Sequence, residues 1–252
     1  MTVIVNNLAI NYTDEGHGPV VLLLHGWGDS SDSFTPLTHQ LVGWGYRVVR
    51  VDLPGFGGSQ LPLAAWGVGD YAMFVADFLA KLRLKAAVMI GHSLGGRILL
   101  KGVGEGTLHA DKLVLLASAG LYKGNSARNL AYRVVAKVGK VATALPPMRP
   151  LRISLRQKLY RRAGSDYASS GNLQATFLRV VNEDLSGPAS HIHVPALLVW
   201  GSADDQTPVS DGHRLHELIT GSSLKVVAGA GHFVHLDQPA ATAGFIREFL
   251  AS

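Results

Sequence analysis

Six short apolar runs alternate with segments of helical spacing, and this alternation restricts what the chain can fold into more than any other feature. Val20–Leu24 ends at His25-Gly26, and Arg47–Val51 ends at Asp52-Leu53-Pro54-Gly55. Run 86–90 ends at Gly91-His92-Ser93, run 113–117 at Ser118-Ala119-Gly120, run 196–200 at Gly201, and run 224–227 at Ala228-Gly229. Continuous apolar runs of this length, bounded by turn residues, read as strands buried on both faces. Residues 34–42, 70–82, 94–103, 209–219 and 239–250 carry the helical spacing between them. The pattern predicts an α/β fold: a mostly parallel sheet flanked by helices. Asp70 is expected as an N-cap, its carboxylate accepting free backbone N–H groups. Pro239 suits a first helical turn, where its missing N–H costs little.

The pattern breaks after Gly120. Residues 121–190 contain no strand-like run, but they do contain three helical, Arg-rich segments, 127–140, 151–162 and 172–181. Twelve Lys and Arg residues stand there against Asp166, Glu183 and Asp184, a local charge of +9 where the remainder carries −4. Such asymmetry marks a separate unit with its own surface. The 252 residues therefore read as one core, 1–120 and 191–252, with a helical insertion at 121–190.

Several function classes fall away at once. The chain has no cysteine, which removes disulfides, thiolate metal sites and a cysteine nucleophile. No stretch approaches the roughly 18 apolar residues of a membrane span. Residues 1–7 lack the basic and apolar regions of a signal peptide and read as a first strand, so a cytoplasmic protein is expected. No nucleic-acid recognition motif accompanies the positive charge. Two accounts fit the basic insertion: a solvated surface, or a helix near 128–140 that makes peripheral contact with an anionic membrane. His191 and His193 flank a strand start, but no third ligand stands at metal spacing. No cofactor is called for.

In open parallel sheets, the loops at the carboxyl ends of the strands form the ligand crevice. Each unusual short motif of this chain lies at such an end. Gly91-x-Ser93-x-Gly95 has a strand before it and a helix after it, the context of a nucleophile elbow. A strand turning directly into a helix strains the serine and crowds its neighbours, so Gly91, Gly95 and Gly96 are the residue types required. The hydroxyl is then presented at a helix N-terminus, where developing negative charge is favoured. A serine needs a base within hydrogen-bond reach. His232, after the last run, suits that role, with His235 as its nearest rival and a helix-start or surface residue otherwise. An acid must orient the imidazole, and Asp204 and Asp205 both follow the preceding run. Backbone N–H groups of Leu94 and Trp27 are expected to form an oxyanion hole. His25 and His92 read as packing residues beside this constellation.

These motifs together resemble the α/β-hydrolase superfamily, in particular its cap-bearing, esterase-like members. The resemblance rests on His25-Gly26-Trp27, residues 52–59 (DLPGFGGS), residues 91–96 (GHSLGG), Trp200-Gly201-x-x-Asp204-x-x-x-Pro208 and Gly231-His232. It implies an eight-stranded sheet with a helical cap inserted after the sixth strand, where 121–190 falls. It favours Asp204 over Asp205, because the acid in that family stands three residues after the glycine and four before the proline. It implies a Ser93-His232-Asp204 triad that hydrolyses a small acyl substrate, a carboxylic ester, through an acyl-enzyme. Relatives that dehalogenate haloalkanes or open epoxides carry aspartate where this chain has Ser93. A C–C bond, lactone, amide or peracid would engage the same triad, and a binding protein with a hydrolase-like pocket is the alternative from another class.

Overall fold

The computed structural model describes residues 1–121 and 171–252. Eight strands form one sheet: β1 (Thr2–Val5), β2 (Leu8–Glu15), β3 (Val20–Leu24), β4 (Arg47–Val51), β5 (Ala86–His92), β6 (Lys112–Leu116), β7 (Ala196–Gly201) and β8 (Ser223–Val227). Their order across the sheet is β1-β2-β4-β3-β5-β6-β7-β8. The two N-terminal strands pair antiparallel and all later pairings are parallel. Residues 2–5 form the first strand, as expected of residues 1–7, and the sheet order places it at the edge.

The α-helices among the described residues are α1 (Thr35–Gly43), α2 (Val68–Lys81), α3 (Leu94–Gly104), α4 (Gln174–Asn182), α5 (Ser186–Ser190), α6 (Val209–Leu218), α7 (Val234–Asp237) and α8 (Pro239–Ala251). Side chains alternate across each central strand, so each strand feeds two cores. Val21 and Leu23 of β3 join Leu37 and Leu41 of α1 and Ile246 of α8 on one face. Leu22 and Leu24 join Tyr71 and Phe78 of α2 and Ile98 of α3 on the other. This two-sided burial is why the strands carry no polar alternation.

Asp70 caps α2 differently from the expectation. The helix starts at Val68, and Asp70 lies in its first turn, where Oδ2 accepts the Gly67 N–H at 2.7 Å. The carboxylate reaches back to the cap residue instead of forward into the helix. Pro239 opens the first turn of α8.

Of the segment expected as a helical cap, residues 122–170 lie outside the described residues. Its returning end is anchored on the core. Leu185, Ala189 and Ile192 are buried with the α2–α3 core. A Cβ on Gly104 of α3 would stand 2.0 Å from the Pro188 carbonyl, so α5 lies directly on α3. The buried Arg97 guanidinium of α3 donates to the Glu183 carbonyl, and Lys101 pairs with the Glu183 carboxylate at 2.7 Å.

Candidate active site

β3 lies between β4 and β5 although the chain visits it first, so the order of the sheet reverses there, with the loops after β3 and β5 side by side. That is where ligand crevices form in open α/β sheets. Leu24 pairs with Gly91, which places His25-Gly26-Trp27 next to Ser93.

Ser93 occupies the N-cap of α3 with φ 49° and ψ −105°. A side chain in that region costs about 1–3 kcal/mol and survives only where its surroundings over-determine it. Here they do. The Ser93 N–H donates to the Leu116 carbonyl at 3.0 Å, and the Ser93 carbonyl accepts from Ala119 and Arg97. A Cβ on Gly95 would stand 2.0 Å from the Leu24 carbonyl oxygen, and one on Gly91 2.5 Å from the backbone of Gly95 and Gly96. One on Gly96 would stand 2.4 Å from the Ser118 hydroxyl. Strand and helix meet too closely for any side chain at these three positions.

The β3 loop is latched to the elbow. Gly95 N–H donates to the His25 carbonyl at 3.0 Å. The buried His25 ring accepts the Leu53 N–H on Nε2 at 2.9 Å, so its proton sits on Nδ1 and bonds the Gly26 carbonyl at 2.7 Å. Burial lowers the His25 pKa, in keeping with a neutral ring. Trp27 follows this latch. Its indole packs edge-on against Phe56 and Phe177, with centroids 5.0 and 5.1 Å away. Leu94 is the first residue of α3, and its N–H lacks an intrahelical acceptor.

Residues 52–59 brace the same edge. The Asp52 carboxylate accepts the N–H groups of Ser31 and Gly58 and the Asn11 amide. Burial would raise its pKa, but those hydrogen bonds prevail and lower it. A Cβ on Gly57 would fall 2.3 Å from that carboxylate, and Gly57 has φ 52°, so glycine is required there twice over.

At the ends of β7 and β8 the structure joins Asp204 to His232 and leaves Asp205 exposed. Asp204 Oδ2 meets His232 Nδ1 at 2.9 Å, and the Thr207 hydroxyl donates to it at 2.8 Å. Oδ1 accepts the N–H groups of Gln206 and Thr207, both at 2.9 Å. Burial of the Asp204 carboxyl would raise its pKa, but the bonds from His232 and Thr207 outweigh it and hold the group below the usual carboxylate range. An ionised Asp204 requires the proton of His232 on Nδ1 and leaves Nε2 with a free lone pair.

Thr207 is the residue the sequence reading missed. It sits between Asp204 and Pro208, the position from which an Asx-type turn returns its N–H and hydroxyl to the aspartate. His92 is the second support. Its buried ring donates from Nε2 to the His232 carbonyl at 3.0 Å, tying the residue before Ser93 to His232 itself. His235 lies in α7, as a helix-start residue should, but is 2% exposed and not on the surface. It stacks on Phe34 at 4.8 Å, a contact between distant segments that no local pattern announces.

No group of three or more His, Cys, Asp or Glu among the described residues is arranged to hold a metal ion. His191 and His193 are exposed. No described helix is long and apolar enough to cross a membrane.

A parallel sheet reversing beside a strained serine at a helix N-terminus, with an Asp–His pair after β7 and β8 on the same sheet edge, defines an α/β hydrolase. The model of the alpha/beta hydrolase family matches residues 21–245, and the chain belongs to that family. It is 27% identical to an uncharacterised protein of Mycobacterium tuberculosis over 93% of this chain and 76% of that one. A pimeloyl-[acyl-carrier protein] methyl ester esterase of Shewanella is 42% identical over 104 residues, 41% of this chain and 36% of the relative. Among solved structures, a bacterial membrane phospholipase A superposes with a TM-score of 0.77 at 27% identity, covering 100% of this chain and 85% of that one.

Proposed function

We propose that the protein is a serine hydrolase that cleaves carboxylic esters through an acyl-enzyme, with Ser93 as nucleophile, His232 as base and Asp204 as the acid that orients it. The observation that carries this reading is the Asp204–His232 pair at 2.9 Å, in which every acceptor position of the carboxylate is used. A carboxylate so held has one task left, to fix the imidazole with Nε2 free. Ser93, in a conformation maintained against strain, presents its hydroxyl at the N-terminus of α3.

In the reaction His232 Nε2 takes the Ser93 proton as Oγ attacks the acyl carbonyl. The oxygen becomes an oxyanion and meets the N–H groups of Leu94 and Trp27, each worth about 3–4 kcal/mol to the transition state. His232 then protonates the leaving alcohol, which departs as the C–O bond breaks. Water, deprotonated by His232, attacks the acyl-serine and releases the acid and Ser93.

An ester fits better than the other bonds this machinery can attack, because the similar Shewanella protein is a methyl ester esterase and the similar solved structure a phospholipase A. The Trp27, Phe56 and Phe177 rings beside the oxyanion loop suit an apolar acyl group. We assign choice of substrate to the segment 121–190, whose described base carries Phe177, and peripheral contact with an anionic membrane would fall to its basic stretch. A panel of nitrophenyl esters of increasing acyl length tests the reading. Turnover should be measurable in the wild type and abolished in Ser93→Ala at unchanged thermal stability. Absence of turnover on every ester, with saturable binding instead, would make the protein a binder.

A further inference from the structure

The connection from β4 to α2 is apolar for a surface segment: no charged residue stands between Asp52 and Asp70. Its middle, residues 61–65, is pinned at both ends. Gln60 donates its N–H to the Ala9 carbonyl at 2.8 Å and accepts the Ala9 N–H on its side chain at 3.1 Å. At the far end the Trp66 N–H donates to the Thr176 hydroxyl at 3.1 Å, and Arg179 donates to the Ala65 carbonyl at 2.8 Å. Both of those partners belong to α4, so the loop adjoins that helix. Between the pins, Leu63 is fully exposed and Leu61 is exposed beside it.

The helix extends the same kind of surface. Thr176 and Val180 are its buried residues. Leu178 and Val181, three positions apart and therefore neighbours on a helix, are exposed on the side away from them. Phe177, next to Leu178, packs on Trp27 with ring centroids 5.1 Å apart, so α4 also borders the crevice.

Single leucines scattered over a surface are ordinary, but four large apolar side chains on two adjoining elements make a patch. A stable protein interface takes roughly 20–30 residues from each side, far more than this patch supplies. A bilayer asks less. A few aliphatic side chains enter the acyl boundary while cations beside them stay among the headgroups. Arg179 is exposed next to the loop, and the segment 121–190, to which α4 belongs, carries twelve Lys and Arg against three acids. That charge favours an anionic surface.

We propose that Leu63, with Leu61 and the exposed Leu178 and Val181 of α4, docks the protein on an anionic lipid bilayer and brings the crevice edge at Phe177 to it. The proposal rests on the reading of the basic segment as the part that attracts an anionic membrane, and not on which bond Ser93 attacks. It adds the apolar half of that contact and names its tip.

The test is co-sedimentation of the whole chain with phosphatidylcholine vesicles, with and without phosphatidylglycerol. The wild type should bind the mixed vesicles and not the neutral ones. Leu63→Ser should weaken that binding roughly tenfold or more, the yield of burying one leucine, at unchanged thermal stability. The chain has no cysteine, so Leu63→Cys accepts a single environment-sensitive fluorophore. Its emission should shift to the blue on mixed vesicles and be quenched by a lipid-borne nitroxide. The same label on Thr220→Cys, an exposed position just before β8 and so at the opposite edge of the sheet, should report neither change. Binding to mixed vesicles that is indifferent to Leu63→Ser would leave the electrostatic attraction standing and overturn the docking surface. A Leu63 label that stays in water would overturn it too, as would self-association without lipid that Leu63→Ser abolishes. No binding to either vesicle would remove both the attraction and the docking surface.

Discussion

The Nε2–H of His92 donates to the backbone carbonyl of His232 at 3.0 Å, a contact between residues 140 positions apart. It makes the residue before the elbow serine the holder of the histidine that would activate it. His92→Phe keeps the ring volume and leaves the carbonyl unpaired. It is expected to cost about 1–3 kcal/mol of stability and to lower kcat more than it changes KM. His92→Gln, whose amide can donate to the same carbonyl, should recover part of the loss. Denaturant titration and steady-state kinetics on the three proteins check this.

Asp204→Asn removes the charge that fixes the His232 tautomer. Its kcat is expected to fall by about 10³–10⁴-fold with little change in KM, while Asp205→Asn stays close to wild type. The comparison separates two adjacent carboxylates of equal chemistry by their hydrogen bonds alone.

The same carboxylate predicts a pH effect on stability. The folded Asp204 pKa lies below its unfolded value, so its contribution is complete above the unfolded value, near 3.9, and is lost as pH falls through the folded one. The Tm difference between wild type and Asp204→Asn should therefore be larger at pH 7 than at pH 3. His92 and His235 act at higher pH. Burial depresses both pKa values, so the folded state binds fewer protons than the unfolded, and stability declines as pH drops below about 6.5. His235→Phe should flatten that decline between pH 6.5 and 4, as thermal melts across the range will show.

Gly95→Ala forces a Cβ to within 2.0 Å of the Leu24 carbonyl, where backbone on both sides cannot yield. A loss of about 3 kcal/mol or more is expected, with activity lost even where the fold persists. Gly244→Ala in α8 meets nothing within 4 Å and should stabilise by about 0.5–1 kcal/mol. Chemical denaturation of both variants distinguishes a glycine required by close approach from one that is not.

Much of this was legible in the chain itself, because strand ends in a parallel sheet converge wherever the strands are recognisable. The runs before His25, Ser93 and Asp204 are continuous and apolar, so their ends could be placed to within a residue or two. The elbow glycines were readable because the turn leaves no room for anything larger. What escaped depends on contacts between distant segments. The back-reaching carboxylate of Asp70 requires the helix to begin two residues before it. Burial of His235 arises from Phe34, some 200 residues earlier, and its short helix carries no amphipathic signal. Thr207 looks like any loop threonine until the Asx-type turn folds its hydroxyl onto Asp204. The return of the chain onto α3 at Leu185 and Pro188 could not be seen in an insertion recognised mainly by its charge.

The central claim is that Ser93 takes the acyl group. Rapid quenching of the wild type during nitrophenyl acetate turnover, followed by peptide mass spectrometry, measures this directly. The account predicts a burst of nitrophenol near one equivalent and an acetyl mass on the peptide containing Ser93, both absent in Ser93→Ala. An adduct on another residue, or undiminished turnover in Ser93→Ala, would contradict it.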